Sequence, residues 1–393
     1  FAVVLAGLAG CGGRTGLTLD REDPVDAAAP CEDECCARFI ELPPTLTRRG
    51  ARAFLRGDSL LLASVASDRL EVSRYTLDGL ARGEVDSIAT PETLDLDVGQ
   101  SFATAEHEPL AVVVTRPSRL VVELPTVSPS VRGLGRLDSF ADGLPRSGYG
   151  VAGRSEIAFH RSGGSGLIFS RARSDEGGWR TEELDAGADP WPFGSCDHPP
   201  VYLGDAGWAA ACIVGDASGA TRHRLHLRRD GVVTRDDDDL GAAFGLRNRA
   251  IVGFTQFSLA AEDRTSLLVI TNGWRRDADD QYLLGVRRSA TGELDVEEIA
   301  AVEDGSVIDG VSAAISEGTT AVCWVGRATV VTLHCRVSSP DRDPRELART
   351  LDDVGGQRVQ PRAMLSESHL AVELAYVDDE AGEPTIGVAS WCL

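Results

Sequence analysis

The chain repeats one arrangement of apolar and polar positions along most of its length. Each copy has a short apolar segment, a tight polar turn, a strongly apolar segment, a loop and a third apolar segment. Short apolar segments separated by turn residues predict β-strands, and the tight turns predict hairpins. The copies begin at Phe54, Phe102, Val151, Tyr202, Ser258, Ala314 and Met364, at intervals of 48, 49, 51, 56, 56 and 50 residues.

A period near 50 residues with several strands in each unit is typical of β-propeller blades. We therefore predict an all-β fold, a seven-bladed β-propeller over residues 31–393; the alternative is two β-sandwich domains. Residues 344–351 stay ambiguous between a strand and a helical turn. The sequence predicts third strands at 70–77, 120–127, 223–229, 281–288 and 385–392, and fourth strands at 83–89, 179–185 and 292–300.

The two ends of the chain are predicted to pair. The last repeat stops at Leu393, directly after its third strand, so its outer strand is missing from the C-terminus. Residues 37–42 (ARFIEL) alternate in polarity and can supply that strand from the N-terminus. Pairing of the N- and C-terminal strands would close the propeller and remove an exposed sheet edge.

An uncharged apolar run, FAVVLAGLAG, precedes Cys11, and Leu8-Ala9-Gly10-Cys11 resembles the lipobox of bacterial lipoproteins. The resemblance implies that residues 1–10 are the remnant of a signal peptide and that Cys11 carries the lipid. Residues 11–30, rich in Gly, Ala, Asp and Pro, would form a flexible tether. Gly12, in place of the Asp typical of inner-membrane retention in that family, implies an outer-membrane lipoprotein. The alternative is an ordinary cleaved signal.

Eight of the nine cysteines remain once Cys11 is set aside, an even number that suits disulfides in an oxidising compartment. Two pairs flank predicted hairpins, which gives Cys196–Cys212 and Cys323–Cys335. A thiolate metal site is the weaker alternative because no second paired C-x₂₋₄-C unit occurs. The remaining four lie at the chain ends, and we predict Cys392 with Cys35 or Cys36, and Cys31 with the one left over.

The net charge of −22 argues against nucleic acid, which is bound by basic patches. The acidic residues 236–239 and 277–280 are predicted to be solvated loops, although oxygen-rich loops can hold Ca²⁺. His223 and His226, three apart on a predicted strand, should point to opposite faces and share no metal. His198, beside a predicted disulfide, is the first histidine to test. No catalytic pair stands out among so many carboxylates.

These observations predict a lipid-anchored extracytoplasmic module of the bacterial envelope that binds or scaffolds without catalysis. Its partner would be an envelope protein or a glycan at one end of the propeller, with the membrane reached only through the lipid and with no nucleic acid, cofactor or metal. The alternatives are a polysaccharide-acting enzyme, either a glycosidase or a lyase, and a calcium-dependent adhesin.

Overall fold

The protein is described by a computed structural model that places the strands and the helix named below. Residues 1–13, which include the predicted signal segment and Cys11, lie outside the described residues, as do Cys31, Cys35 and Cys36. The predictions that depend on these residues stay predictions. Side chains are described at 52–55, 59–64, 69–77, 87, 156–160, 168–174, 178–184, 196, 198–204, 207–215, 223–228, 239–244, 258–261, 267–271, 282–289, 291–300, 307–351, 359–375 and 386–393.

The described strands form six sheets, which we number in chain order. Two N-terminal strands, β1 (Arg14–Gly16) and β2 (Arg38–Glu41), belong to the last of these sheets. The first sheet is an antiparallel series of four strands, β3 (Ala51–Arg56), β4 (Ser59–Val65), β5 (Arg69–Thr76) and β6 (Arg82–Ala89). It contains the predicted third strand at 70–77 and the predicted fourth strand at 83–89.

The second sheet has nine strands, and it consists of two runs joined at one residue pair. The first run contains β7 (Thr93–Asp97), β9 (Leu110–Thr115), β10 (Arg119–Glu123) and β11 (Arg132–Leu137). The second run contains β8 (Gln100–Ser101), β12 (Pro145–Ala152), β13 (Glu156–Gly163), β14 (Gly166–Asp175) and β15 (Gly178–Glu183). The runs meet where Leu137 pairs in parallel with Trp179.

A short capped helix follows the last strand of the third sheet. The strands of this sheet are β16 (Phe193–Ser195), β17 (Val201–Tyr202), β18 (Trp208–Gly215), β19 (Thr221–Arg229) and β20 (Val232–Asp239). Helix α1 (Leu240–Ala243) follows, and the Asp239 carboxylate accepts a hydrogen bond of 3.0 Å from the Ala242 amide. Among the described residues, no helix has the length and hydrophobicity needed to cross a membrane.

The fourth and fifth sheets are antiparallel series of four strands in chain order. The Glu317-Gly318 turn has positive φ angles of 49° and 74°, as a two-residue type I′ hairpin requires. Residues 344–351 lie in a strand of the fifth sheet, not in a helical turn. The strands are β21 (Gln256–Ala260), β22 (Leu267–Trp274), β23 (Gln281–Arg288), β24 (Leu294–Ala301), β25 (Val307–Ser316), β26 (Thr319–Arg327), β27 (Val331–Ser339) and β28 (Arg342–Leu351).

The sixth sheet joins the two ends of the chain. It contains β29 (Gln360–Leu365), β30 (His369–Val377) and β31 (Pro384–Cys392), followed by β2 and β1. Strand β2 runs antiparallel to β31, with Phe39 opposite Ala389 and Arg38 opposite Ser390. This pairing confirms the predicted contact between the terminal strands.

The central strands of the sheets are buried on both faces. On β26, Ala321, Cys323 and Val325 pack against the sixth sheet, whereas Val322 and Trp324 pack against the fourth. A β-sandwich buries one face of each of its two sheets. Burial on both faces therefore does not fit the alternative of two β-sandwich domains.

Each sheet packs against the sheets that precede and follow it in the chain. Apolar clusters join the second sheet to the third, the third to the fourth, the fourth to the fifth and the fifth to the sixth. Another cluster joins the sixth sheet to the first, where Ala371 and Val388 pack with Leu60 and Leu62. Strand β4 of the first sheet also contacts β7 of the second. The packing therefore follows chain order and returns to its start.

A hydrogen bond from a backbone amide to a side chain links the first strands of successive sheets. The amide of Ala313 donates to the Ser258 hydroxyl at 3.0 Å, and the amide of Ala363 donates to the Ser312 hydroxyl at 2.8 Å. Strands β25 and β29 are edge strands of their sheets, so these buried amides have no ladder partner and a side chain satisfies them. We call these bonds the amide clasps.

The clasp between the last and first sheets uses a buried carboxylate. The amide of Ala53 donates to Glu373 Oε2 at 2.6 Å, and Arg362 donates to the same oxygen at 2.7 Å. Arg52 lies 3.9 Å from Oε1, and Arg362 also donates to the Ala53 carbonyl. Burial alone would raise the pKa of Glu373, but Arg362, Arg52 and the Ala53 amide together lower it. The carboxylate is therefore ionised and held by two hydrogen-bond donors, the Ala53 amide and Arg362, with Arg52 as a second positive charge.

Substitution of Glu373 should destabilise the fold through this contact. In Glu373→Gln the two arginines lose their counter-charge, so we expect the free energy of unfolding at pH 7 to fall by about 3 kcal/mol. Urea unfolding followed by circular dichroism measures the change. The matched control is Glu346→Gln, because Glu346 is 65% exposed and lies 3.7 Å from Arg336. That variant should differ from wild type by about 0.5 kcal/mol or less.

The effect of Glu373→Gln should also depend on pH. Because the folded pKa lies below the ordinary value of 4.5, the carboxylate stabilises the fold above pH 4.5. This stabilisation is lost as the pH falls through the folded pKa. Wild type and Glu373→Gln should therefore approach each other in stability below pH 4.5. A difference that stayed constant from pH 7 down to the acid transition would contradict the ionised clasp.

Candidate functional site

Two of the predicted disulfides are present. Cys196 bonds to Cys212, and Cys323 bonds to Cys335, which lies directly opposite it in the ladder of the fifth sheet. All four cysteines are buried. The hairpin spacing in the sequence was sufficient to assign both pairs.

His198 lies next to Pro199, shortly before strand β17. Its side chain is only 6% exposed, and Nδ1 lies 2.8 Å from the Pro199 carbonyl oxygen. A carbonyl oxygen can only accept, so Nδ1 carries the proton and donates. Nε2 therefore presents a lone pair, and this buried atom has no hydrogen-bond partner among the described residues.

The charge of Arg362 acts on His198, although Arg362 lies in β29 of the sixth sheet and His198 lies just before β17 of the third. The pKa of His198 is lowered from 6.5 to about 4. Burial is the largest cause, the hydrogen bond to Pro199 opposes the shift, and the Arg362 guanidinium adds to it. His198 is therefore neutral at pH 7, and it lies within electrostatic range of the Glu373 clasp.

A second polar cluster fills the contact between the second and third sheets. The indole Nε1 of Trp208 donates to Glu156 Oε1 at 2.7 Å, which links the two sheets. Arg173 donates to Glu156 Oε2 at 3.0 Å, and Arg171 donates to Glu156 and to Glu182. The arginine pairs lie within the second sheet and hold the Glu156 carboxylate in place with charge-assisted hydrogen bonds, whereas the Trp208 bond crosses to the third sheet.

His160 lies in the same contact, beside a disulfide. Its ring stacks on Phe169 at 4.6 Å, and Nε2 lies 3.9 Å from the sulfur of Cys212. His226 Nδ1 lies 3.1 Å from a guanidinium nitrogen of Arg228. Burial first, and then the charges of His226 and Arg228, lower the pKa of His160 well below its ordinary value.

His223 and His226 lie apart, as their spacing predicts. His226 belongs to the cluster that faces the second sheet, whereas His223 interacts with Asp239 at the start of α1. Burial lowers the pKa of His223, and Asp239 partly raises it. The two histidines do not form a shared metal site.

The acidic run Asp236–Asp239 is not a loop. It forms the end of strand β20, where Asp239 pairs with Arg224 and Asp237 pairs with His226 in the ladder. The predicted loop is therefore wrong, because the ladder pairs the acidic run with β19 (TRHRLHLRR), a strand whose arginines offset the charge of the aspartates. The second acidic segment, 277–280, lies outside the described residues.

Sequence reasoning missed Glu373, Arg362, His160 and Arg228. Glu373 did leave a signal, because it is the one carboxylate in the apolar strand HLAVELAYV. An acid in a strand buried on both faces requires a partner. The identity of that partner could not be predicted, since Ala53 lies 320 residues earlier in the chain.

The neutral state of His198 predicts a pH dependence of stability. Below about pH 6.5 the unfolded chain binds a proton at His198, whereas the folded chain does not bind it until about pH 4. Between pH 7 and 4, wild type should lose about 3 kcal/mol more unfolding free energy than His198→Gln. The other buried histidines contribute equally to both proteins and cancel.

Urea unfolding at several pH values measures this difference. The matched control is His334→Gln, which replaces a partly buried histidine stacked on Trp324. This variant should follow wild type across the range. Parallel curves for wild type and His198→Gln would show that burial of neutral His198 contributes nothing.

Comparisons with known proteins assign no family. No protein-family profile and no curated protein matches the chain. Solved structures that partly superpose on it include the core factor of S. cerevisiae, at 10% identity and TM-score 0.47 over 92% of this chain and 62% of that one. The chain thus spans less than two thirds of the core factor chain. Others are polysaccharide lyase Uly1 (10% identity, TM-score 0.47, 88% of this chain, 91% of that one) and the Dos1 propeller (10%, 0.39, 85%, 89%).

Proposed function

We propose that the chain is a seven-bladed β-propeller that serves as a lipid-anchored binding or scaffolding module outside the cytoplasm. The blade count treats the two runs of the nine-stranded sheet as separate blades, since they share a single residue pair. Packing in chain order, with a return from the sixth sheet to the first, supports the ring. Strand β2, paired with β31, supplies the outer strand of the last blade.

The observation that carries the binding role is the Glu373 clasp. General acid–base catalysis needs a carboxyl or imidazole group that can exchange a proton with a substrate. The Glu373 carboxylate instead receives hydrogen bonds from the amide of Ala53 and from Arg362, and its lowered pKa keeps it ionised. The hydrogen bonds that this carboxylate accepts join the last sheet to the first. A ring fastened in this way is a rigid platform whose ends can present loops to a partner.

The location outside the cytoplasm has two supports. Disulfides persist in oxidising compartments, and two buried disulfides join strands or adjacent segments of the described chain. The resemblance of residues 8–11 to a lipobox implies a lipid on Cys11, and a lipid anchor can hold a protein at a membrane without a spanning helix. The outer membrane is the proposed site, facing the periplasm or the cell surface.

The partner is proposed to be an envelope protein or a glycan. The net charge of −22 makes nucleic acid an unfavourable partner. A calcium-dependent adhesin loses support because Asp236–Asp239 lie in a paired strand.

A polysaccharide-acting enzyme is the second candidate function, and His198 favours it. A neutral imidazole with a fixed Nδ1 proton and an open Nε2 lone pair has the form of a general base. The nearby Arg362 could offset negative charge on a substrate. Against this role, His198 is buried, and Arg362 is held by Glu373.

If Cys11 carries a lipid, loss of this cysteine should move the protein from the membrane fraction of the cell to the soluble fraction. When the complete gene is expressed in a bacterium with labelled fatty acid, wild type should carry the label and sediment with membranes. Cys11→Ser should carry no label and appear in the soluble fraction. The matched control is Gly12→Asp, which should keep the label. Label retained in Cys11→Ser would overturn the lipobox interpretation.

The binding role predicts retention without turnover. The purified protein should be retained on at least one immobilised envelope polysaccharide or envelope protein fraction, and it should release no shortened chains from soluble polysaccharides. Retention should be the same for wild type and His198→Gln. Chain cleavage by wild type that is lost in His198→Gln would instead establish the polysaccharide-acting enzyme.

A further inference from the structure

The Cys196–Cys212 disulfide lies within ligand distance of a buried imidazole. One ring nitrogen of His160 and the two sulfurs all lie within 4.8 Å of one another, and all three residues are buried. His160 belongs to β13 of the second sheet, whereas Cys212 lies in β18 of the third sheet and Cys196 directly follows β16 of that sheet. The contact between these sheets therefore holds two sulfurs and one imidazole in a single cluster.

We propose that reduction of the Cys196–Cys212 disulfide converts this cluster into a binding site for a thiophilic cation of the Zn²⁺ class. In the oxidised protein the sulfurs are bonded to each other and cannot act as thiolates. In the reduced protein Cys196, Cys212 and His160 supply three ligands. Two thiolates and one imidazole form a ligand set that zinc uses in proteins, with the fourth position filled by water or another group.

The reaction balances with a dithiol or phosphine reductant. The disulfide accepts two electrons and two protons and becomes two thiols. A dithiol reductant is oxidised to its own disulfide in the same exchange. A phosphine is instead oxidised to the phosphine oxide, and water supplies the oxygen and the two protons. Binding of Zn²⁺ then releases the two thiol protons, because the metal binds thiolates.

The geometry of the oxidised cluster is close to what the cation needs. With Zn–S about 2.3 Å and Zn–N about 2.0 Å, a tetrahedral site places sulfur and nitrogen ligands roughly 3.5 Å apart. His160 Nε2 lies 3.9 Å from the sulfur of Cys212. Relative to the Cys212 sulfur, the imidazole therefore needs to move by only a few tenths of an ångström. The two sulfurs have to separate to roughly 3.8 Å after their bond is broken.

The surroundings fix the orientation of the imidazole. The stacked Phe169 ring holds the imidazole plane, and Nδ1 is a buried nitrogen without a hydrogen-bond partner among the described residues. That nitrogen can carry the proton while Nε2 faces the metal.

The other disulfide provides a matched comparison within the same chain. Cys323 and Cys335 are also buried and bonded, and His334 is adjacent to Cys335 in sequence. The His334 ring, however, stacks on Trp324 at 5.3 Å, on the other side of the sheet. In the described parts of the chain, only the His160 cluster brings a third ligand to a cysteine pair.

Cobalt titration of the reduced full chain tests the proposal. The protein is reduced with a phosphine under anaerobic conditions and titrated with Co²⁺, whose bonds to thiolates give a charge-transfer absorption. Reduced wild type should show this absorption when one equivalent of Co²⁺ is bound. Added Zn²⁺ should displace the Co²⁺ and abolish the absorption. Oxidised wild type should show none. His160→Gln should bind at least about tenfold more weakly, and Cys212→Ser should lose the absorption.

Three controls make the outcome decisive. His334→Gln should match wild type, because His334 belongs to the other cysteine pair. Zn²⁺ should raise the melting temperature of reduced wild type and raise it less in reduced His160→Gln, which tests binding to the folded chain. Absorption that survives in Cys212→Ser but disappears in Cys323→Ser would place the metal at the other pair and overturn the proposal. Two further outcomes would overturn the proposal: reduced wild type that shows no absorption with Co²⁺, and reduced wild type that is unfolded in the presence of Zn²⁺.

Discussion

The structure depends on sheets whose central strands are apolar on both faces. Such a sheet cannot stand at the surface of a two-layer domain, because one of its faces would meet water. On β26 the side chains alternate between two apolar clusters, one shared with the fourth sheet and one with the sixth. Every sheet of this kind needs a neighbour on each side. A linear stack would leave two sheets with one bare face, so the first and last sheets have to meet.

Face-to-face packing also decides where polar side chains lie inside the protein. Backbone amides at the first strands of the sheets would be buried without partners, and Ser258 and Ser312 satisfy two of them. At the contact between the last and first sheets, the serine hydroxyl is replaced by the Glu373 carboxylate with Arg362. Charge-assisted hydrogen bonds are stronger and more geometrically specific than neutral ones. The strongest clasp thus lies where chain connectivity gives the least help, since Ala53 and Glu373 are 320 residues apart.

The features that the sequence predicted are those set by local spacing. Hairpin length placed Cys323 opposite Cys335, and the missing outer strand after Leu393 indicated a role for residues 37–42. The features that it missed depend on contacts between sheets. No local pattern pairs Glu373 with Ala53, or His160 with Cys212, because each pair comes from different sheets. The prediction of a solvated loop at Asp236–Asp239 was wrong for a related reason, since it considered the charge of the run without its pairing with β19.

The distribution of charge constrains what the protein can bind. The chain carries a net charge of −22, yet the described buried ionisable residues are arginines and histidines with Glu373 as the one acid. Among the described residues, the acids other than Glu373 are therefore at least partly exposed, and their negative charge repels anionic partners. Basic or neutral partners would therefore suit the proposed binding role. The Arg362 guanidinium, whose charge acts on His198, could attract an anionic ligand, but the Glu373 carboxylate already pairs with it. For the proposed binding role, charge and packing thus favour the exterior of the described sheets over the contacts between them.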